Sequence, residues 1–160
     1  MRKILSTLLV GIALACGGST VALAAETSSL LTGTWNLNLA KSKFDPGPPP
    51  KSDSRTYVES AQGVTVTVNI VTASGATIAE HSTYAYDGKD YPITGNPRED
   101  ALSLKRVNAR TTIITQKLSG KAVGTETRVI SADGKVMTIS ANGTNAKGVP
   151  FERVAVYDKQ

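Results

Sequence analysis

From Val64 to Ile70 the chain reads Val-Thr-Val-Thr-Val-Asn-Ile, apolar and polar in strict alternation. Successive side chains on a strand point to opposite faces, so this run predicts a strand with one face buried and one in water. The same period appears at 33–39, where Trp35, Leu37 and Leu39 share a face. Val, Ile and Thr recur throughout, and such β-branched residues favour a pleated surface over a helix.

Glycines punctuate the strands. Gln62-Gly63, Ser74-Gly75, Asp87-Gly88, Ser119-Gly120, Asp133-Gly134 and Asn142-Gly143 each predict a tight connection that needs positive φ. Asp87-Gly88-Lys89 and Asp133-Gly134-Lys135 carry the strongest hairpin signals, and 92–97 and 145–150 form less regular breaks. The segments between are ten strands: 33–39, 54–60, 64–72, 76–86, 89–94, 101–107, 111–118, 121–131, 135–142 and 150–158. No window after residue 24 offers three helical turns with an apolar stripe. A chain of hairpins this regular must close into a barrel or pack as a sandwich to hide its edges.

One connection differs. The stretch 41–54 contains Asp45-Pro46-Gly47-Pro48-Pro49-Pro50. Consecutive prolines donate no ladder bonds and favour an extended form. This segment, 45–50, reads as a stiff crossover at one end of the sheet, as a lid over a cavity mouth, or as a docking segment for a protein partner that recognises proline.

Residues 1–24 have the pattern of a signal peptide. Arg2 and Lys3 precede an apolar stretch from Ile4 to Ala15, and Ala22-Leu23-Ala24 supplies a small-x-small cleavage site. The apolar stretch falls short of the about 20 residues that span a bilayer, and no later stretch is longer. Export to the periplasm or the extracellular space follows, with residues 25–160 as one domain. Ala13-Leu14-Ala15-Cys16-Gly17 also loosely resembles a lipobox, which would anchor the chain by lipid at Cys16.

Losing Arg2 and Lys3 takes the net charge from +5 to +3. No block of five like charges occurs, so a nucleic-acid partner lacks support. The single cysteine lies in the leader and His81 is the single histidine. The exported domain therefore has no disulfide, thiolate metal site or cysteine nucleophile, and no metal centre or cofactor is implied.

Read together, these features resemble the calycin superfamily of lipocalins and fatty-acid-binding proteins. Gly33-Thr34-Trp35 matches the Gly-x-Trp that opens its first strand, and Val156-Tyr157-Asp158-Lys159 resembles the last strand of the fatty-acid-binding branch. Gln116-Lys117, Gly120-Lys121, Thr127-Arg128 and Asp133-Gly134-Lys135 follow that branch's late hairpins in order. The resemblance implies a single antiparallel up-and-down β-barrel of about 8–10 strands with no substantial helix. The chain departs from the branch where the proline segment replaces a helix pair. It also resembles small secreted bacterial proteins carrying Asp-Gly-Lys-Asp-Tyr-Pro and Thr-Gly-Asn-Pro segments, which bears on compartment rather than mechanism.

In the fatty-acid-binding branch, inward arginines and a last-strand tyrosine hold the ligand carboxylate, and a guanidinium offers such a group a planar fork of donors. Tyr157 matches the tyrosine, and Ala155 stands where the branch has an arginine, with Arg153 on the same face. Arg153 has three readings: a ligand group, a latch over Trp35, or a surface residue. Arg128 sits where the resemblance puts a ligand arginine, but its face also carries Glu126, so an outward Arg128–Glu126 pair is the simpler expectation. Arg106 shares a face with Leu102 and Leu104 and either points inward or snorkels from a strand end. Tyr84 and Tyr86 share a face, with Tyr91 across a hairpin, as packing or as a ligand rim. His81 neighbours Glu80 and Ser82, but alternation separates them, which argues against a triad and against catalysis.

Two functions stand on this reading. One is a non-catalytic barrel binding a small apolar or amphiphilic, potentially acidic molecule in its lumen. The other is a ligand-free structural or interaction protein of the cell envelope. Facing Val, Ile, Leu and Met across the lumen would favour the second; convergent Arg and Tyr beside a cavity would favour the first.

Overall fold

The computed structural model describes residues 30–145 and 148–160. The expected signal peptide and Cys16 lie outside the described residues. The alternating run at 64–70 forms the middle of β4 (Gly63–Val71), with Val64, Val66, Val68 and Ile70 buried. Around it lie β1 (Gly33–Leu37), β2 (Lys43–Asp45), β3 (Ser52–Ser60), β5 (Thr77–Tyr84) and β6 (Asp87–Pro92). The chain continues through β7 (Ala101–Arg106), β8 (Thr111–Leu118), β9 (Lys121–Ile130), β10 (Val136–Thr144) and β11 (Pro150–Lys159). One turn of 3-10 helix at Leu39–Lys41 is the only helical element among the described residues.

The antiparallel sheet runs β5-β4-β3-β1-β11-β10-β9-β8-β7-β6. Except at β5 and β6, each long strand pairs with the next long strand in sequence, and β1 joins the first half to β11, so the sheet wraps round until β5 faces β6. There the ladder is broken. A single His81–Thr94 bridge, with both N–H···O distances at 3.0 Å, and a bond from Ser82 Oγ to Pro92 O at 2.9 Å close the seam. The result is a nearly closed barrel, calycin-like in its strand order.

Three expectations need correction. The connection after β1 is not wholly irregular, because Lys43–Asp45 pairs with Val154–Glu152. Strands β1 and β2 thus lie end to end along β11. Asp87-Gly88-Lys89 is not a hairpin turn; it opens β6 with a bulge, and Asp87 Oδ1 accepts from Lys89 N–H. A hairpin needs both flanking strands to pair with each other, and β5 and β6 do not. Asn142-Gly143 lies inside β10, where Gly143 faces Gly124. A Cβ at Gly143 would sit 2.3 Å from Val123 O and 2.7 Å from Gly124 Cα, so close strand approach demands this glycine rather than a turn.

The signature tryptophan does anchor the core. Trp35 is fully buried, its Nε1–H donates to Leu31 O at 2.8 Å, and Lys159 Nζ lies 5.1 Å from its ring centre. The expected latch by Arg153 is thus replaced. Trp35 pairs in register with Lys159, whereas Arg153 lies six residues nearer the other end of β11. Among the described residues no helix is long and apolar enough to cross a membrane.

Candidate ligand-binding lumen

Register decides what lines the lumen. Because Val66, Val68 and Ile70 face inward, their partners Tyr57, Arg55 and Asp53 on β3 face inward too. Asp53 and Arg55 form a two-bonded pair at 3.2 and 3.0 Å, and Tyr157 O–H donates to Asp53 Oδ2 at 2.8 Å. Arg55 also lies 5.1 Å from the Tyr157 ring centre. Burial holds the Tyr157 phenol well above its ordinary range, so it remains a neutral donor.

The β8–β9 hairpin does the same on the opposite wall. Ile114 pairs with Glu126 and Thr112 with Arg128, and all four are buried. The expected outward Arg128–Glu126 pair is therefore overturned: Glu126 is 5% exposed and Arg128 3%, whereas Val129 is 42% exposed. Glu126 instead accepts from Arg153 and from Gln116 Nε2, the latter at 3.2 Å.

Arg128 has a different set of partners. Its two terminal nitrogens donate to Tyr84 Oη at 3.1 Å and Tyr86 Oη at 3.2 Å, and its guanidinium lies 5.2 Å from the Tyr57 ring centre. None of the ion pairs among the described residues includes it. Burial keeps the Tyr84 phenol far above the usual range, despite the opposing pull of Arg128. Tyr84 and Tyr86 meet edge to face at 5.8 Å.

These groups, Tyr86 and Thr112 apart, border a cavity of about 350 Å³. It opens at the end carrying the β4–β5, β6–β7, β8–β9 and β10–β11 connections, shown by Ala73, Glu99, Leu118 and Asn145 at its rim. Phe44, Pro46, Pro48 and Pro50 line the same mouth, so the proline segment lies where a lid would. The far end is closed by Trp35 and its neighbours, with Arg128 towards it, bordering also a small pocket with Leu31 and Ile130. A third polar group stands near the mouth, where Asn96 Nδ2 donates to both Glu80 Oε2 at 2.8 Å and Glu99 Oε1 at 2.9 Å.

Of the residues singled out from the sequence, Arg128, Arg153, Tyr84 and Tyr157 line this cavity. Tyr86 joins them through Arg128. Arg106 does not: it is exposed, beyond buried Leu102 and Leu104, and stacks 4.0 Å over the Tyr86 ring at the closed end. Tyr91 turns its hydroxyl to Asp87 at 3.0 Å, and His81 is exposed beside Thr67. Asp53, Arg55, Tyr57, Glu80 and Glu99 were missed. Pairing β3 to β4 across the Gln62-Gly63 turn would have placed the first three.

Fold and site together define a calycin-like β-barrel with a charged, partly open lumen. No family model matches the chain, and no curated protein matches it. Among solved structures it is similar to a zebrafish ileal bile acid-binding protein complexed with cholic acid, at 11% identity and a TM-score of 0.49, covering 82% of this chain and 99% of that one. It is also similar to a redesigned β-barrel bound to DFHBI, at 12% identity and a TM-score of 0.40, covering 83% of this chain and 98% of that one.

Proposed function

We propose that this chain is an exported, non-catalytic carrier that holds a small amphiphilic acid in its lumen. The observation that carries this reading is Arg128, a buried guanidinium whose partners are neutral phenols rather than a carboxylate. A buried cation is costly without a counter-charge, and a ligand carboxylate supplies one. Tyr84 and Tyr86 support the same chemistry, since their oxygens accept from Arg128 and their own protons remain for donation. Val66, Val68, Ile70, Leu104 and Ile114 provide the wall for an apolar body, and about 350 Å³ suits a ligand of modest size.

Titration calorimetry with decanoate and with decanol tests this. Decanoate is expected to bind at least tenfold more tightly, because only the acid neutralises Arg128. Equal affinity would remove the acidic head from the proposal. Heat from neither would leave the lumen as an internal ion-pair network, as in a structural envelope protein. Export has its own test: the N-terminus of the chain recovered from producing cells is expected at Ala25, whereas a blocked Cys16 would mean a lipid anchor.

A further inference from the structure

The barrel is weakest along the β5–β6 seam, and one loop covers both that seam and the mouth. Residues 93–100 are pinned at two points. Thr94 makes the two-bonded bridge to His81, and Asp100 bonds the β8–β9 hairpin, its N–H to Lys117 O at 2.9 Å and its carboxylate to Ser119 N–H at 2.8 Å. Between them the loop presses on β5 so closely that a Cβ at Gly95 would lie 1.8 Å from Ala79 O. Among the described residues, the side-chain bond that ties 95–99 to β5 is that of one amide: Asn96 Nδ2 donates to Glu80 on β5 and to Glu99 on the loop itself.

We propose that this loop is a proton-operated clasp, shut while Glu99 is protonated and released when Glu99 ionises, opening the lumen. The two carboxylates share one amide donor group, so a second negative charge there repels the first. The groups facing Glu99 are Glu80 from β5, Glu126 from β9, Arg153 from β11 and Arg55 from β3, with Asn96 beside it on the loop. Glu126 is already bonded to Arg153, and Arg55 to Asp53, which among the described residues leaves Glu80 and Glu99 with the Asn96 amide as their bonded side-chain partner. Burial first, then Glu126 and Glu80, lift the Glu99 carboxyl from 4.5 to about 7 against the pull of Arg153 and Arg55.

The direction follows by linkage. The shut form binds the proton more tightly than the released form, so the clasp is strongest in acid. It weakens as pH rises from about 4.5 to about 7, and above that the contribution is gone. Should release return Glu99 to its ordinary range, the opening equilibrium rises about tenfold between pH 6 and pH 8. The clasp would govern ligand exchange only if the lumen carries a ligand, but its movement is measured on the ligand-free chain, so the two readings fail separately.

The test is amide hydrogen exchange by NMR on the chain as recovered from producing cells, with each rate referred to the unstructured rate at the same pH. Protection at His81 and Thr94 is expected to fall about tenfold from pH 6 to pH 8, while the β3–β4 ladder keeps its protection. Glu99→Gln is expected to hold the seam shut at both values. His81→Gln, which keeps the backbone bridge and removes the outward imidazole, is expected to retain the wild-type response. Wild-type protection independent of pH, or a tenfold loss that persists in Glu99→Gln, would overturn the clasp. Were Glu99→Gln not to fold, the wild-type chain decides: a loss of His81 and Thr94 protection that levels off at the pH where the Glu99 carboxyl signal titrates supports the clasp, and protection that does not follow that signal overturns it.

Discussion

Replacing Arg128 by methionine is expected to weaken decanoate binding about 100-fold while leaving the barrel as stable as before, or up to about 2 kcal/mol more stable. Both halves come from one geometry. The guanidinium is buried, carries no acid partner among the described residues and donates only to Tyr84 and Tyr86. A charge-assisted pair with a ligand carboxylate in a poorly solvated lumen accounts for the loss. The same burial makes the empty site costly, and exchanging a buried ion for an apolar side chain of similar length is often neutral or stabilising. Arg128→Lys should recover part of the affinity, since it restores charge without the planar fork. Calorimetry and urea unfolding on the same variants check both halves. Full decanoate affinity in Arg128→Met would move the head group elsewhere in the lumen.

Trp35→Ala is expected to cost about 3–5 kcal/mol of stability, the largest loss for any single truncation proposed for this barrel. The indole is fully buried, holds Leu31 O through its N–H and lies under Lys159. It also stands on the strand that joins the two halves of the sheet, pairing with β3 on one side and β11 on the other. A void there removes packing at the point of closure. Trp35→Phe keeps one aromatic ring but loses the N–H bond and part of the indole's volume, for about 1–3 kcal/mol. The urea midpoint is the measurement, and an unshifted midpoint in Trp35→Ala would show that the first strand does not anchor the core.

How much of the lumen could be read in advance differs strand by strand. On β4 the apolar face is uniform, so its inward side was plain. On β3 both faces are polar, Asp53-Arg55-Tyr57 against Ser54-Thr56-Val58, and pattern alone could not choose between them. Pairing across the turn to β4 does choose, and it sends the charged face inward. On β9 the hydrophobic rule pointed the wrong way. Val129 looked like the core and Arg128–Glu126 like the surface, yet the lumen takes the ions and the solvent takes the valine. Two neighbouring isoleucines on β8 show the same split, with Ile114 buried and Ile113 exposed. A barrel with a polar interior inverts the usual inference, and only the facing strand shows where the inversion occurs.

The tryptophan anchor came from the Gly-x-Trp resemblance, whereas every strand but β2, most of the turns and the all-antiparallel class were legible in the residue pattern. Those follow from period-two patterning, β-branched propensity and glycine placement, which act over a few residues. The convergence of Arg128 with Tyr84 and Tyr86, the Arg153–Glu126 and Tyr157–Asp53 contacts, and the carboxylates meeting at Asn96 arise only once the strands are paired and the sheet wraps. Arg128 and Tyr84 lie 44 residues apart, and Tyr157 and Asp53 lie 104 apart. Such contacts depend on which face of each strand closure turns inward, a property of the wrapped sheet that no local window contains.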